Sequence, residues 1–423
     1  MCYLFSDFYW IIKMRPVLLL GIVLGLPCMT IQNDYDDSSS HGNEHSNDGL
    51  DIYQNNAGFA FQLYKHITAQ PESQSKNIFF SPMSLSLALA ALSLGAREQT
   101  HQQLFNGLGF NETEIAPEEV NEAFHGILMN LNKKKEVEVS VGSALFVKDT
   151  FKPHPEFLEN LKRFYHAEGF TVDFNKTAEA TELINNYVKE KTHGKITNLV
   201  KNLNTDAMMY LISYIYFKGK WELPFNPLNT KENNFYVDEN TTVSVKMMHQ
   251  RNSFLVYHDE EIAADILQLL YRDSVSMMLV LPENELKALE EILQGHHVEK
   301  WHKWIEKTEC EVFLPKFSIS TSYSLEDVLK NMGIIDIFSE KANFAGISEY
   351  PRIPKTSTII HHATLDIDEL GTTGSAVTTI AIKPLSFFSP HTLNFNRPFL
   401  LVIYSHETKS ILFLGRILNP ADS

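Results

Sequence analysis

Apolar residues recur at three- and four-residue steps in the first half of the chain and at two-residue steps in much of the second. Phe59, Leu63, Tyr64 and Ile67 keep the helical spacing, and Val120, Phe124, Ile127, Leu128 and Leu131 keep it more clearly. Each set predicts a helix with one buried face. Ser81-Pro82 supplies an N-cap and a proline at the first helical position, Leu85, Leu89 and Leu92 follow, and Gly95 stops the run. Nearly every residue in that segment is apolar or small, so it is predicted as a central helix buried on all sides.

Period two takes over in other segments. Val137, Val139 and Val141 alternate with polar residues, and Met209, Leu211, Ser213, Ile215 and Phe217 follow the same step. Phe235–Val237 and Val243–Met247 flank Asp238, Glu239 and Asn240, which predicts a hairpin. Ser276–Leu281, Val312–Ile319, Ala363–Asp368 and Phe399–Tyr404 are further predicted strands. Helices come mostly early and strands mostly late, so the class is α+β with large, mainly antiparallel sheets. No linker or internal repeat divides the chain from Asn55 onward, and residues 55–423 are expected to form a single domain.

The amino-terminal region follows neither period. Lys13 and Arg15 precede the apolar run Val17–Leu26, and the small residues Cys28 and Thr30 follow, the order of a secretory signal. Residues 1–30 are assigned to it, with 1–13 as an upstream extension because Met14 stands just before Arg15. The run falls short of the roughly 20 apolar residues a membrane span needs. Residues 31–54 are rich in Asp, Ser, Asn and His with almost no aliphatic side chains, a composition that reads as an acidic, disordered tail. Tyr35, between Asp34 and Asp36, suits sulfation, although a plain solvated leader is the simpler reading. Sequons at Asn111, Asn175 and Asn240 agree with a secreted, extracellular glycoprotein.

Composition narrows the partners. With 44% hydrophobic and 21% charged residues the 423-residue chain folds. Its formal charge of −16 excludes nucleic acid, which requires a basic stripe. Three cysteines, two of them in the signal region, exclude a disulfide framework, and Cys310 reads as a partly buried free thiol. Lys133-Lys134-Lys135 is the one basic cluster suited to heparin, but Glu136 follows and a solvated turn accounts for it as well.

Catalytic motifs are scarce. Gly371-Thr-Thr-Gly374 lacks the Lys-Ser/Thr of a phosphate loop, and His361-His362 sits on a strand where neighbours face opposite sides. No metal, cofactor or enzymatic nucleophile is expected. One segment asks for another explanation. About twenty residues separate the strand ending near Glu369 from the next, and Thr372, Gly374, Ala376, Thr378, Ile380 and Ile382 are small or apolar at every second position. A loop that long is usually functional, and this alternation would let one face lie on a core if the loop became a strand.

At this point the chain resembles the serpins, and among them the secreted alpha-1-antitrypsin and kallistatin group, clade A. The likeness rests on six blocks in family order: Asn77-Ile-Phe-Phe-Ser-Pro-Met-Ser84, Phe110-Asn-Glu-Thr113, Ile184–Val188 with Thr192–Ile196, Tyr216-Phe-Lys-Gly-Lys-Trp221, Leu393–Leu400 and Phe413-Leu-Gly-Arg416. The resemblance implies the serpin fold, with about nine helices and an exposed reactive-centre loop. It implies a monomer that is no catalyst but bait for a serine protease, trapped as the cleaved loop inserts into the main sheet. Counting seventeen residues from Glu369 places the reactive bond at Leu385-Ser386, which suits a chymotrypsin-like protease. The hinge comprises Glu369, Gly371, Thr372, Thr373, Gly374, Ser375 and Ala376, and it departs from the inhibitory pattern at Thr373, Gly374 and Ser375. Ser81, Ser84, Asn185 and His361 are the implied shutter, and Trp221 marks the loop's entry point. The alternative is a non-inhibitory carrier of a hormone or other small ligand.

Overall fold

The two hydrophobic periods resolve into nine α-helices and fourteen strands among the described residues. The structure is a computed structural model that describes residues 48–134, 136–349, 357–371 and 391–422, all within one compact unit. In chain order it runs α1 (Asp48–Thr68), β1 (Ile78–Phe80), α2 (Pro82–Ser93), α3 (Glu98–Gly107), α4 (Pro117–Asn132), β2 (Val137–Lys148), α5 (Pro155–Tyr165), β3 (Glu168–Val172), α6 (Thr177–Lys191) and β4 (Met209–Gly219). Next come β5 (Lys231–Tyr236), β6 (Thr242–Asp259), β7 (Ala264–Leu270), β8 (Val275–Pro282), α7 (Leu286–Ile292), α8 (Gly295–Trp304), β9 (Glu306–Pro315), β10 (Phe317–Ser324) and α9 (Glu326–Asn331). The chain closes with β11 (Ser357–Ile367), β12 (His391–Asn394), β13 (Phe399–Ser405) and β14 (Ser410–Ile417).

These strands form a nine-stranded sheet and a five-stranded sheet of order β10-β11-β4-β2-β3. The larger sheet is antiparallel except where β12 meets β9. The smaller is mixed, because β11 pairs with β4, and β2 with β3, in parallel. The helix opened by Ser81-Pro82 forms as the sequence requires. Ser84 N–H donates to Ser81 Oγ at 3.1 Å, and all twelve residues of α2 are buried. The period-two segments also explain why the smaller sheet is covered on both faces. Leu211, Ile215 and Phe217 of β4 join the main core, while Tyr210, Ile212 and Tyr214 join a second cluster beneath α6 with Phe146 and Ile184.

Two expectations are corrected. The tail does not reach residue 54, since α1 begins at Asp48 and Ile52 is 1% exposed. Composition hid a helical stripe, in which Ile52, Asn56, Phe59 and Leu63 share one face and Asn56 Oδ1 accepts from Ile411 N–H at 3.3 Å. The signal, the remaining tail and Tyr35 lie outside the described residues. The run Val312–Ile319 is two strands in different sheets. Its buried positions change from even (Val312, Leu314) to odd (Phe317, Ile319) across Pro315-Lys316, and such a slip exchanges the faces of a strand.

Candidate functional site

The centre of the smaller sheet is a seam between β11 and β4, paired in parallel from Ser357↔Met209 to Thr364↔Tyr216. Period two makes alternate residues of both strands face α2, and the two that meet there are polar, His361 and Ser213, opposite each other in register. Ser81 N–H donates to His361 Nε2 at 2.9 Å, so the proton sits on Nδ1, which lies 3.3 Å from Ser213 Oγ. Ser213 Oγ in turn lies 3.0 Å from Ser84 Oγ, and Ser84 Oγ donates to the Ser81 carbonyl at 3.4 Å. His361, Ser81, Ser84 and Ser213 are all fully buried. Burial, with a smaller contribution from neighbouring His362, pushes His361 down to about 3. A neutral ring is what this network needs, because protonation would remove the acceptor for Ser81 N–H.

The structure therefore brings together three of the four implied shutter residues and replaces the fourth. Asn185 stands apart on α6, where its Nδ2 donates to the Val200 carbonyl at 2.8 Å and its Oδ1 accepts from Val200 N–H at 2.9 Å. It fastens the segment after α6 and does not touch His361. Ser213 takes its place. The signal for it was visible, since Ser213 is the only polar residue in the alternation Met209, Leu211, Ser213, Ile215, Phe217.

The seam ends where both strands stop. Trp221 N–H donates to the Leu370 carbonyl at 2.9 Å, its Nε1 donates to the Asp368 carbonyl at 3.0 Å, and its ring stacks on Tyr271 at 4.2 Å. Glu369 accepts from Thr230 Oγ1 and from Lys316 Nζ, each at 2.7 Å. Burial alone would raise its carboxyl, but those two bonds outweigh it and hold the group below the ordinary range. Gly371, at φ +124°, bridges Lys220, and a β-carbon there would stand 2.3 Å from the Gly219 carbonyl oxygen. Only glycine fits that close approach. Thr372, Thr373, Gly374, Ser375, Ala376, Leu385 and Ser386 lie outside the described residues.

Other calls fall away from the seam. Asn111, Asn175 and Asn240 are all exposed. Lys134 is drawn inward. Its side chain is 3% exposed and donates to the Asp273 carbonyl and to Glu407, so it is not available to a polyanion such as heparin. Cys310 is fully buried, deeper than expected, and burial pushes its thiol up to about 11. Among the described residues no helix is long and apolar enough to cross a membrane.

Comparison with known proteins places this architecture. The family model described as "Serpin (serine protease inhibitor)" matches residues 54–420. Human kallistatin is 42% identical over 382 residues, covering 88% of this chain and 88% of that protein. Alpha-1-antiproteinase 2 of Equus caballus is 40% identical over 388 residues, covering 90% and 91%. Among solved structures, human thyroxine-binding globulin superposes with a TM-score of 0.83 at 37% identity, covering 89% of this chain and all of that one. Glycosylated human kallistatin gives 0.81 at 40% identity, covering 88% and 99%. The chain belongs to the serpins, within the alpha-1-antitrypsin and kallistatin group.

Proposed function

We propose that this serpin is a secreted inhibitor of chymotrypsin-like serine proteases, cleaved at Leu385-Ser386 and acting by insertion of the cut loop between β11 and β4. The observation that carries the reading is the parallel seam with the loop's root at its end. A segment that turned back at Gly371 would run antiparallel to both β11 and β4 at once. It would exchange one parallel ladder for two antiparallel ones. Each added backbone hydrogen bond contributes about 1 kcal/mol net. The alternate small and apolar positions from Thr372 to Ile382 would face the side on which α2 lies, and the His361–Ser213 contact must part to admit them. No step requires a cofactor or a catalytic group of the serpin. The bond-breaking chemistry belongs to the protease, and the fold holds the acyl-enzyme.

The test is to mix the pure secreted protein with chymotrypsin. A covalent complex that survives denaturing electrophoresis is expected, with the new amino terminus at Ser386. Cleavage without complex would overturn the inhibitory reading. Mass spectrometry of secreted material should find the first thirty or so residues missing and glycans at the exposed Asn111, Asn175 and Asn240; unmodified asparagine at all three would count against the compartment.

A carrier is the second reading, favoured by the likeness to thyroxine-binding globulin, which has been solved in complex with thyroxine, and by the hinge sequence at Thr373, Gly374 and Ser375. Tight binding of a thyroid hormone or steroid with no protease inhibited would decide for it.

A further inference from the structure

We propose, resting on the inhibitory reading above, that residues 192–208 are a strap tied across the far face of the β11–β4 seam, and that its release from β11 at Asp366 and Thr358 limits the rate at which the seam opens. These residues form neither helix nor strand, and they lead from the end of α6 back to the start of β4.

Both ends of the strap are fastened at the seam. Alternate residues of a strand point to opposite sides, and His361 points toward α2, so the even-numbered residues of β11 face away from it. Three of these are tied to the strap. Lys195 Nζ lies 3.2 Å from Asp366 Oδ2. At the other end Asn204 N–H donates to the Tyr210 hydroxyl at 2.6 Å, and that hydroxyl is also hydrogen-bonded to the Thr358 side chain. Between them Ile360 packs against the cluster that holds Ile196, Leu199, Val200 and Leu203. The stretch from Lys195 to Asn204 therefore runs antiparallel to β11, from Asp366 down to Thr358, along the length of the seam.

The two sides of the seam hold the strap unequally. Asn185 of α6 exchanges two hydrogen bonds with Val200, at 2.8 and 2.9 Å, and Lys148 N–H of β2 donates to the Met208 carbonyl at 2.9 Å. Ile196, Leu199 and Val200 are buried there with Phe146 of β2 and with Tyr210 and Ile212 of β4. The ties to β11 are weaker: an ion pair whose side chains are 41% and 37% exposed, a hydroxyl contact and a half-buried isoleucine. Neighbouring strands lie about 4.8 Å apart, so a strand entering between β11 and β4 separates them by about that much more. Neither a 3.2 Å ion pair nor a hydroxyl bond survives such a displacement. The strap stays with α6, β2 and β4 and lets go of β11. Its ties are lost before the new strand is seated, so they act as a brake on the face opposite the His361–Ser213 contact.

The experiment offers the intact secreted protein a synthetic peptide of the sequence Thr372–Ile382 and follows its uptake by the rise in unfolding temperature, with no protease present. Asp366→Asn and Thr358→Val should each speed uptake about two- to fivefold, and the double variant by about the product. Exchanging the charges, as Lys195→Glu/Asp366→Lys, should restore the wild-type rate. Glu168→Gln breaks the 2.9 Å pair that Lys191 of α6 makes with β3, on the side that keeps the strap, and should leave the rate unchanged. That control separates a brake from a general loss of stability. Uptake at one rate in the wild type, Asp366→Asn and Thr358→Val would overturn the strap and leave the inhibitory reading standing. A wild type that takes up no peptide and traps no chymotrypsin would overturn both.

Discussion

β4 has a different kind of neighbour on each side. Toward β2 it makes an eleven-residue antiparallel ladder on which apolar side chains predominate, with Leu145 and Val147 in one core and Phe146 and Ala144 in the other, and the buried pair Ser143–Ser213 interrupts them. Toward β11 it makes an eight-residue parallel ladder, under which lies the polar network of His361, Ser213, Ser84 and Ser81. Apolar packing has no discrete alternative partner, whereas hydrogen bonds can be handed from one strand to another. On the proposed mechanism the first junction stays shut and the second opens. That contrast is what the proposed mechanism requires, and it can be broken experimentally.

The largest expected effect comes from blocking the second junction after it opens. Thr372 is the first inward position of the proposed insert, so Thr372→Arg would place a guanidinium against buried apolar surface at a cost of several kcal/mol. The reactive bond is untouched, so the protease should still cut. Covalent complex should nearly vanish and cleaved product replace it. In the wild type, cleavage should raise the unfolding temperature greatly; in Thr372→Arg the rise should be much smaller. Equal melting of cleaved and intact wild type would show that no strand is gained, and the contrast between the junctions would lose its purpose.

Next in size is damage to the junction that stays shut. Phe146 is fully buried and stacks 4.9 Å from Phe170, so Phe146→Ala should cost about 3–5 kcal/mol. If the β2–β4 pairing is kept in both states, as the proposed mechanism has it, denaturant unfolding should show a similar loss before and after cleavage, and the fraction of protease trapped should hold. A drop in trapping would mean that this junction also moves.

How much of this contrast could be read from the chain alone is itself instructive. The α2 helix and the β5–β6 hairpin were legible because each is a local pattern: a cap with a period, and two strands around a turn. The residues that meet across the seam were only partly legible. His361 and Ser213 are 148 positions apart and touch only because β11 and β4 pair in that register, and no local pattern encodes a register. The family likeness supplied three members and misplaced the fourth at Asn185, a polar residue on a helix, where the network needed one on β4. Lys134 failed for a related reason, since its partners Asp273 and Glu407 are brought in from distant turns.

A smaller effect should appear on acidification. The folded pKa of His361 lies at about 3, below its unfolded value of 6.5, so between these limits the unfolded chain carries a proton that the folded chain refuses. The stabilising contribution is therefore complete above pH 6.5 and is lost as pH falls toward 3, by at most about 1.4 kcal/mol per pH unit. His361→Leu should remove that slope and, at neutral pH, cost about 1–3 kcal/mol by orphaning Ser81 N–H. An unchanged slope in the variant would place the acid sensitivity elsewhere.

The smallest effect sharpens where the opening junction ends. Lys316 is partly exposed while the Glu369 side chain is 10% exposed, so breaking their 2.7 Å pair with Lys316→Met should cost only about 1 kcal/mol. Thr230 would still donate to the carboxylate, which limits the loss. If the pair braces the closed seam, the cost should appear in the intact protein and fade in the cleaved form, because the chain leaving β11 is redirected once the loop enters the sheet. An equal cost in both forms would mean that Glu369 is held in the same way before and after. The movable part of the seam would then stop at Gly371, leaving the Trp221–Leu370 and Glu369–Lys316 contacts as a fixed frame against which the inserted strand turns.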